Sequence, residues 1–253
     1  MVSEHPLDNP ARAALLGPQA RLGERRGAVV RYQADVAPFV GLPVHPSSED
    51  WADLARLAGP GTVVATAGVP AEPPADWKLI MSLPGVQLTG EAVRGEPDAD
   101  AVSLGPPDVP EMLDLVARTR PGPFLPRTIE FGGYLGIRRD GALVAMAGER
   151  IRPPGWAEVS AVCTDPAWRG QGLASRLTLA VAAAIMARGE VPFLHAAAEN
   201  VGAIRLYESL GFAERRSATF VVARIPGGTR DLREPALPET ADPPDIADRP
   251  DIA

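Results

Sequence analysis

The alternation of apolar and polar positions divides the chain into three stretches of different texture. Residues 28–32 alternate like a half-buried strand, 48–57 carry apolar positions at helical spacing, and 62–65 form a short apolar run. Asp8-Asn9-Pro10 reads as a helix cap with proline in the first turn. Residues 1–95 are therefore expected to form a small α/β unit, joined through the polar segment 91–98 to a second stretch ending near 225. In that stretch the pattern predicts a strand at 101–104, a helix over 109–120, and strands at 134–138 and 142–150 around the turn Arg139-Asp140-Gly141. A strand at 156–163, a long helix over 172–188, a strand at 192–197, a helix over 201–210 and a final hairpin within 212–225 follow. Hairpins mixed with helical crossovers imply a mixed sheet with helices packed on it, an α/β arrangement. Residues 226–253 are rich in Pro and Asp and repeat Pro-Asp-Ile-Ala, so a disordered tail is expected there.

Composition narrows the function classes. With 45% hydrophobic and 23% charged residues, the 253-residue chain reads as an ordinary soluble globular protein. A net charge of −7 argues against a nucleic-acid partner, which needs a basic surface to displace phosphate counterions. Cys163 stands alone, which excludes an intrachain disulfide and a cysteine-based metal cluster. The longest apolar stretch, 177–187, is broken by Thr178 and is too short to span a bilayer. A cytoplasmic monomer or homodimer without metal or membrane partner is the expectation.

The candidate chemistry centres on Arg169-Gly170-Gln171-Gly172-Leu173-Ala174, placed between a predicted strand and a predicted helix. Glycines there let backbone N–H groups converge on a ligand, and the helix start adds its dipole, a combination suited to pyrophosphate. Arg169 and Arg176 are candidates for charge compensation. A dinucleotide fold is disfavoured, because six residues, 164–169, separate the strand from the first glycine. No Gly-Lys-Ser/Thr sequence exists, which argues against a Walker A loop.

The run from Val162 through Ala174 resembles the acyl-CoA signature of the GNAT N-acyltransferase superfamily, Arg/Gln-x-x-Gly-x-Gly/Ala. Downstream, Asn200, Ala203, Leu206, Tyr207, Leu210, Gly211 and Phe212 are similar to that superfamily's Asn-x-x-Ala-x-x-Leu-Tyr-x-x-Leu-Gly-Phe. The resemblance covers about residues 99–225 and implies the GNAT fold, a mixed and mostly antiparallel sheet splayed around acyl-CoA. It implies transfer of an acetyl group from acetyl-CoA to a primary amine of a small molecule or peptide, by direct attack in a ternary complex. It assigns Val162, Cys163 and Thr164 to pantetheine, Arg169 to Ser175 to the pyrophosphate, and Asn200 to cofactor contact. Tyr207 becomes the general acid for the leaving thiolate.

Two residues are candidates for the base. Glu158 lies four residues before Val162, hence on its side of the sheet if the strand keeps period two, and matches the glutamate base of the histone-acetylating branch. His195, on the next strand, stands near a glutamate position of some peptide-acetylating relatives, and its pKa range suits proton abstraction at neutral pH. The acceptor pocket is expected around residues 119–131. Residues 1–95 resemble the non-catalytic part preceding such domains in some relatives, a degenerate half of the same fold. A non-catalytic acyl-CoA sensor is the competing reading.

Overall fold

In the computed structural model, residues 5–67 and 72–227 are described; the expected tail lies outside them beyond its first two residues. The N-terminal portion begins with α1 (Pro10–Leu15), followed by β1 (Gly23–Arg26), β2 (Val29–Tyr32) and β3 (Val40–Gly41), which form a three-stranded antiparallel sheet. Helix α2 (Ser48–Ala58) starts with a reciprocal cap, in which Ser47 accepts from Asp50 N–H and the Asp50 carboxylate accepts from Ser47 N–H. Strands β4 (Val63–Ala67) and β5 (Lys78–Thr89) come next. Then follow β6 (Val102–Leu104), α3 (Val109–Thr119), β7 (Tyr134–Arg139), β8 (Ala142–Glu149) and β9 (Trp156–Thr164). Helix α4 (Leu173–Met186), β10 (Val191–Ala197), α5 (Val201–Ser209) and β11 (Ala213–Arg224) complete the described chain.

Eight strands make one mixed sheet in the order β4-β11-β5-β10-β9-β8-β7-β6. Among the described residues, the only parallel pairing between its strands is β9 with β10, joined by the crossover through α4. One face packs on α4, where Leu173, Leu177, Val181 and Ile185 meet Ala157, Val159, Leu194 and Ala196. On the other face, α1 and the small sheet bring Leu7, Ala11, Tyr32 and Phe39 against Phe193 and Phe220. Helix α3 covers the remainder, with Met112 and Leu115 buried beside Tyr134, Met146 and Cys163.

Two features depart from the sequence expectation. Residues 212–225 do not form a hairpin. β11 is one strand paired along its length with β5, from Ala213↔Thr89 to Arg224↔Lys78, and on its other edge with β4. Arg215 is the extra residue of a bulge, where the register shifts by one residue and the chain continues in the same direction. The segment 78–89 carries Pro84-Gly85 mid-strand, two residues that argue against a strand, yet it lies in the sheet interior. Pro84 has no N–H to place, and its carbonyl accepts from Ala198 N–H; Gly85 leaves room for Phe220, whose ring would sit 2.4 Å from an added Cβ. Sheet pairing therefore runs across position 95, with β5 held between β10 and β11.

Candidate active site

β9 and β10 pair only at Val191↔Trp156, Pro192↔Ala157 and Phe193↔Glu158. Beyond that point β9 keeps β8 as its partner and β10 keeps β5, so the two strands diverge. The facing edges of the fork carry backbone groups free to bond an extended ligand. A cavity of about 590 Å³ opens there. Val162, Cys163 and Thr164 line it from β9, Asn200 and Tyr207 from α5, and Arg169, Gly170, Gly172, Leu173, Ala174 and Ser175 from the start of α4.

A bulge shapes the β9 side. Cys163 pairs with Met146 and Ser160 with Gly148, so residues 161–162 together oppose Ala147. Ala161 takes φ +53°, a left-handed conformation that a residue with a Cβ rarely adopts. The extra residue reverses the alternation. Val162 packs with Val159 on the α4 side, whereas Cys163 packs on the α3 side. Glu158 consequently does not share a side with Val162, contrary to the period-two expectation.

The glycine loop fits an anionic ligand. Gly170 and Gly172 sit at φ +74° and +71°, and a Cβ added at either would meet nothing within 4 Å, so the space in front of the backbone is open. Gly172 is the N-cap of α4, and no side chain caps that helix, which leaves first-turn N–H groups for a ligand. The Thr164 hydroxyl is buried without a hydrogen-bond partner among the described residues, on a residue that lines the cavity. Arg169, Arg120 and Arg205 line the same cavity. Arg176 does not serve it; its guanidinium is held by Asp98 at 2.5 and 2.8 Å and by Asp100 at 2.9 Å. Gln171 is not among the lining residues either, although its neighbours are.

On α5, the Asn200 side chain caps the helix by accepting from Ala203 N–H at 3.1 Å. Tyr207 lies seven residues on, partly buried against the α4-side core. Burial pushes its hydroxyl up to about 12, with the nearby Cys163 sulfur as the second cause. Burial likewise pushes the Cys163 thiol up to about 11. That cysteine is a protonated, packed side chain rather than a nucleophile.

Glu158 and His195 lie outside the cavity lining, on the sheet face covered by residues 5–42. Glu158 is fully buried, and Arg150 grips it with Nε to Oε2 at 2.9 Å and Nη2 to Oε1 at 2.8 Å. Burial pulls its carboxyl upward, but the Arg150 charge and the hydrogen bonds of Arg150 and His195 outweigh that and hold it well below the usual carboxylate range. His195 Nδ1 is 2.7 Å from Glu158 Oε1, and its Nε2 is 3.0 Å from Gln87 Nε2. Gln87 Oε1 accepts from Arg215, so its amide group faces His195 and Leu7 O. In the matching tautomer, Nδ1–H donates to Glu158 and Nε2 accepts from Gln87. Sequence reasoning could not see these partners, and it gave no site role to Trp168, Gly202, Ala203, Arg205, Leu206 and Ser209 on the cavity wall. Thr119, Arg120 and Pro121 do line it, at the start of the segment expected to meet the acceptor.

Residues 134–221 match the family model of FR47-like proteins. A solved structure of a protein assigned to the GNAT family of acetyltransferases, from Novosphingobium aromaticivorans, is 42% identical, covers 89% of this chain and 100% of that one, and has a TM-score of 0.81. A GCN5-related N-acetyltransferase from Kribbella flavida is 21% identical, covers 88% of this chain and 96% of that one, and shares the fold with a TM-score of 0.56. N-alpha-acetyltransferase RimI of Mycobacterium tuberculosis is 39% identical over 82 residues, 31% of this chain and 51% of that protein. Mycothiol acetyltransferase of Nocardiopsis dassonvillei is 36% identical over 92 residues, 32% of this chain and 28% of that protein. The chain spans about half or less of the length of these two curated relatives. With a 42% identical relative covered end to end, the chain belongs to the GNAT family.

Proposed function

We propose that the chain is an acetyl-CoA-dependent N-acetyltransferase acting on a primary amine. The observation that carries this reading is the fork itself: two strand edges diverge into a cavity that meets an uncapped, glycine-opened helix start. Pantetheine would pair with the free edge at Val162–Thr164, and the pyrophosphate would accept from the N–H groups of the loop and first turn of α4. Backbone N–H groups of that edge would also polarise the thioester carbonyl. Acetyl-CoA supplies an activated acyl group on a thiolate leaving group.

Tyr207 is the group placed to return a proton to the sulfur. Burial keeps its hydroxyl protonated through the neutral range and so able to donate, which is the role required as the C–S bond breaks. The partial similarity to two named acetyltransferases supports transfer over mere binding.

Thermal denaturation with acetyl-CoA, NADH and ATP tests the binding half of the proposal. A ligand that binds only the native state at a hundredfold excess over Kd stabilises it by about 2.7 kcal/mol. Acetyl-CoA should raise the melting temperature and the other two should not. Thiol release on addition of a primary amine tests the transfer half; a stabilised protein that releases no thiol with any amine is a sensor.

A further inference from the structure

We infer that the hydroxyl of Tyr134 is a hydrogen-bond contact for the acceptor amine, reaching the fork from the sheet face opposite Tyr207. The inference rests on the transfer reading above and adds a residue to that same site. It comes from a buried polar group that the fold leaves without a partner.

Tyr134 opens β7 and is 2% exposed, and its hydroxyl is buried with no hydrogen-bond partner among the described residues. The ring itself is fully used. Phe124 meets it edge-on at 5.5 Å, and Met112, Leu115, Met146 and Cys163 pack around it. A phenylalanine would fill the same space without burying an unpaired hydroxyl, which costs free energy wherever it occurs. The fold does satisfy the other tyrosine beside Glu158 and Arg150, because Tyr32 donates to Gln19 Oε1 at 2.6 Å. An unpaired hydroxyl kept in such a setting calls for a partner outside the chain.

The sheet register places that hydroxyl. Tyr134 pairs with Gly148, and Gly148 with Ser160, so the three share one row and one face of the sheet. A Cβ at Gly148 would stand 2.2–2.5 Å from Cγ, Cδ1 and Cε1 of Tyr134. The ring therefore lies over β8 at a bare glycine, and the charges that act on its hydroxyl are those of Arg150, Glu158 and Glu149. Glu158↔Phe193 is the last pair between β9 and β10. Ser160, two residues further on and next in the Tyr134 row, is only partly buried, which leaves β9 accessible at the first position on this face past the parting. Tyr207 belongs to the core on the other face, with Val162 and α4. A thioester lying in the fork then has the acid on the cofactor's face and the Tyr134 hydroxyl on the face left to the nucleophile.

Burial holds this hydroxyl well above the ordinary phenol range, so it removes no proton. Its oxygen has lone pairs that can accept one N–H of the amine. That bond turns the nitrogen's own lone pair toward the carbonyl carbon, a contribution of orientation rather than proton transfer.

The test is Tyr134→Phe in the intact chain. Acetyl-CoA affinity is read by calorimetry, stability by urea denaturation, and transfer by thiol release with three amines. These are a tripeptide with a free α-amine, an N-terminally blocked tripeptide carrying one lysine, and ethanolamine. The expected result is a fall of about tenfold in kcat/KM for the amine that the wild type acetylates fastest, the loss of one buried hydrogen bond. Acetyl-CoA affinity should be unchanged, and the urea midpoint equal or higher, since the variant no longer buries an unpaired hydroxyl. Unchanged kcat/KM would overturn the inference. So would a lower urea midpoint, the mark of a hydroxyl bonded within the fold through an ordered water, or weaker acetyl-CoA binding, the mark of a cofactor contact. If the wild type releases thiol with none of the three amines, the transfer reading falls and the inference with it.

Discussion

Gly172 allows the proposed cofactor site to be tested without disturbing the core. It caps α4 at φ +71° with nothing within 4 Å of an added Cβ, so Gly172→Ala introduces no clash with the protein itself. Two effects follow. The left-handed conformation disfavours any L-residue by about 1–2 kcal/mol, which lowers stability. The new methyl group also occupies the space through which a pyrophosphate would reach the N–H groups of the loop. Charge-assisted hydrogen bonds contribute about 1.5–3 kcal/mol each, so losing two weakens binding by at least about 3 kcal/mol, or about 150-fold. At an acetyl-CoA concentration that stabilises the native protein by about 2.7 kcal/mol, the variant would then gain only about 0.3 kcal/mol. Gly189→Ala is the matched control. That residue lies just past the other end of the same helix at φ +76°, also with open space around its Cβ, and it does not line the cavity. Both variants should lose similar stability in denaturant melts, and only Gly172→Ala should lose the acetyl-CoA-dependent gain. Equal ligand-induced shifts in the two would refute the placement of the pyrophosphate.

Tyr207→Phe keeps the ring in its packing and deletes the hydroxyl; turnover should fall about 10²–10⁴-fold in a thiol-release assay while acetyl-CoA affinity by calorimetry stays unchanged. Glu158→Gln leaves Arg150 buried without its counter-charge and should destabilise the protein by about 3–5 kcal/mol in urea melts at pH 7. Because the folded-state carboxyl is held below its usual range, its contribution is full above about pH 4.5 and is lost as pH falls, so the difference between wild type and variant should narrow on acidification. Deleting residues 1–95 removes β4 and β5 from the sheet, and the remaining chain should fail to give a cooperative thermal transition by circular dichroism.

The parts legible in the sequence were those written contiguously. The glycine loop before α4 and the Asn200–Phe212 segment are each contiguous runs, and the structure brings residues of both to one cavity. Strands β7–β10 and helices α2–α5 matched their periodicity to within two residues because each is amphipathic or bounded by strong turn residues. What failed was pairing between distant segments. Nothing near Pro84-Gly85 says that a strand from the N-terminal portion inserts beside β10, since the two are joined only by the fold. The bulge at Ala161 adds one residue to the alternation, and a single added residue is enough to send Glu158 to the face opposite Val162. Arg176 looked free for a phosphate until Asp98, 78 positions away, proved to hold it.

The same distant contacts explain how the fork is kept open. Glu158↔Phe193 is the last pair before β9 and β10 separate, and from the same level the Glu158 side chain reaches His195 on the opposite strand. Arg150, leaving the end of β8, holds that carboxylate from the other side and lies over the Phe39 ring at 4.9 Å. The ion pair thus joins three strands at the vertex of the divergence, in a region sealed from water, where breaking it is far more costly than at a surface. Past the vertex each strand is anchored on its outer edge alone, β9 by β8 and β10 by β5 through Gly85 to Thr89. A fork with a rigid vertex and two supported arms presents its unpaired edges at a fixed separation, which limits the ordering a ligand must impose on binding. On this geometry Glu158 and His195 act on the site by fixing where β9 and β10 part, and the N-terminal portion acts on it by supplying the strand that steadies one arm.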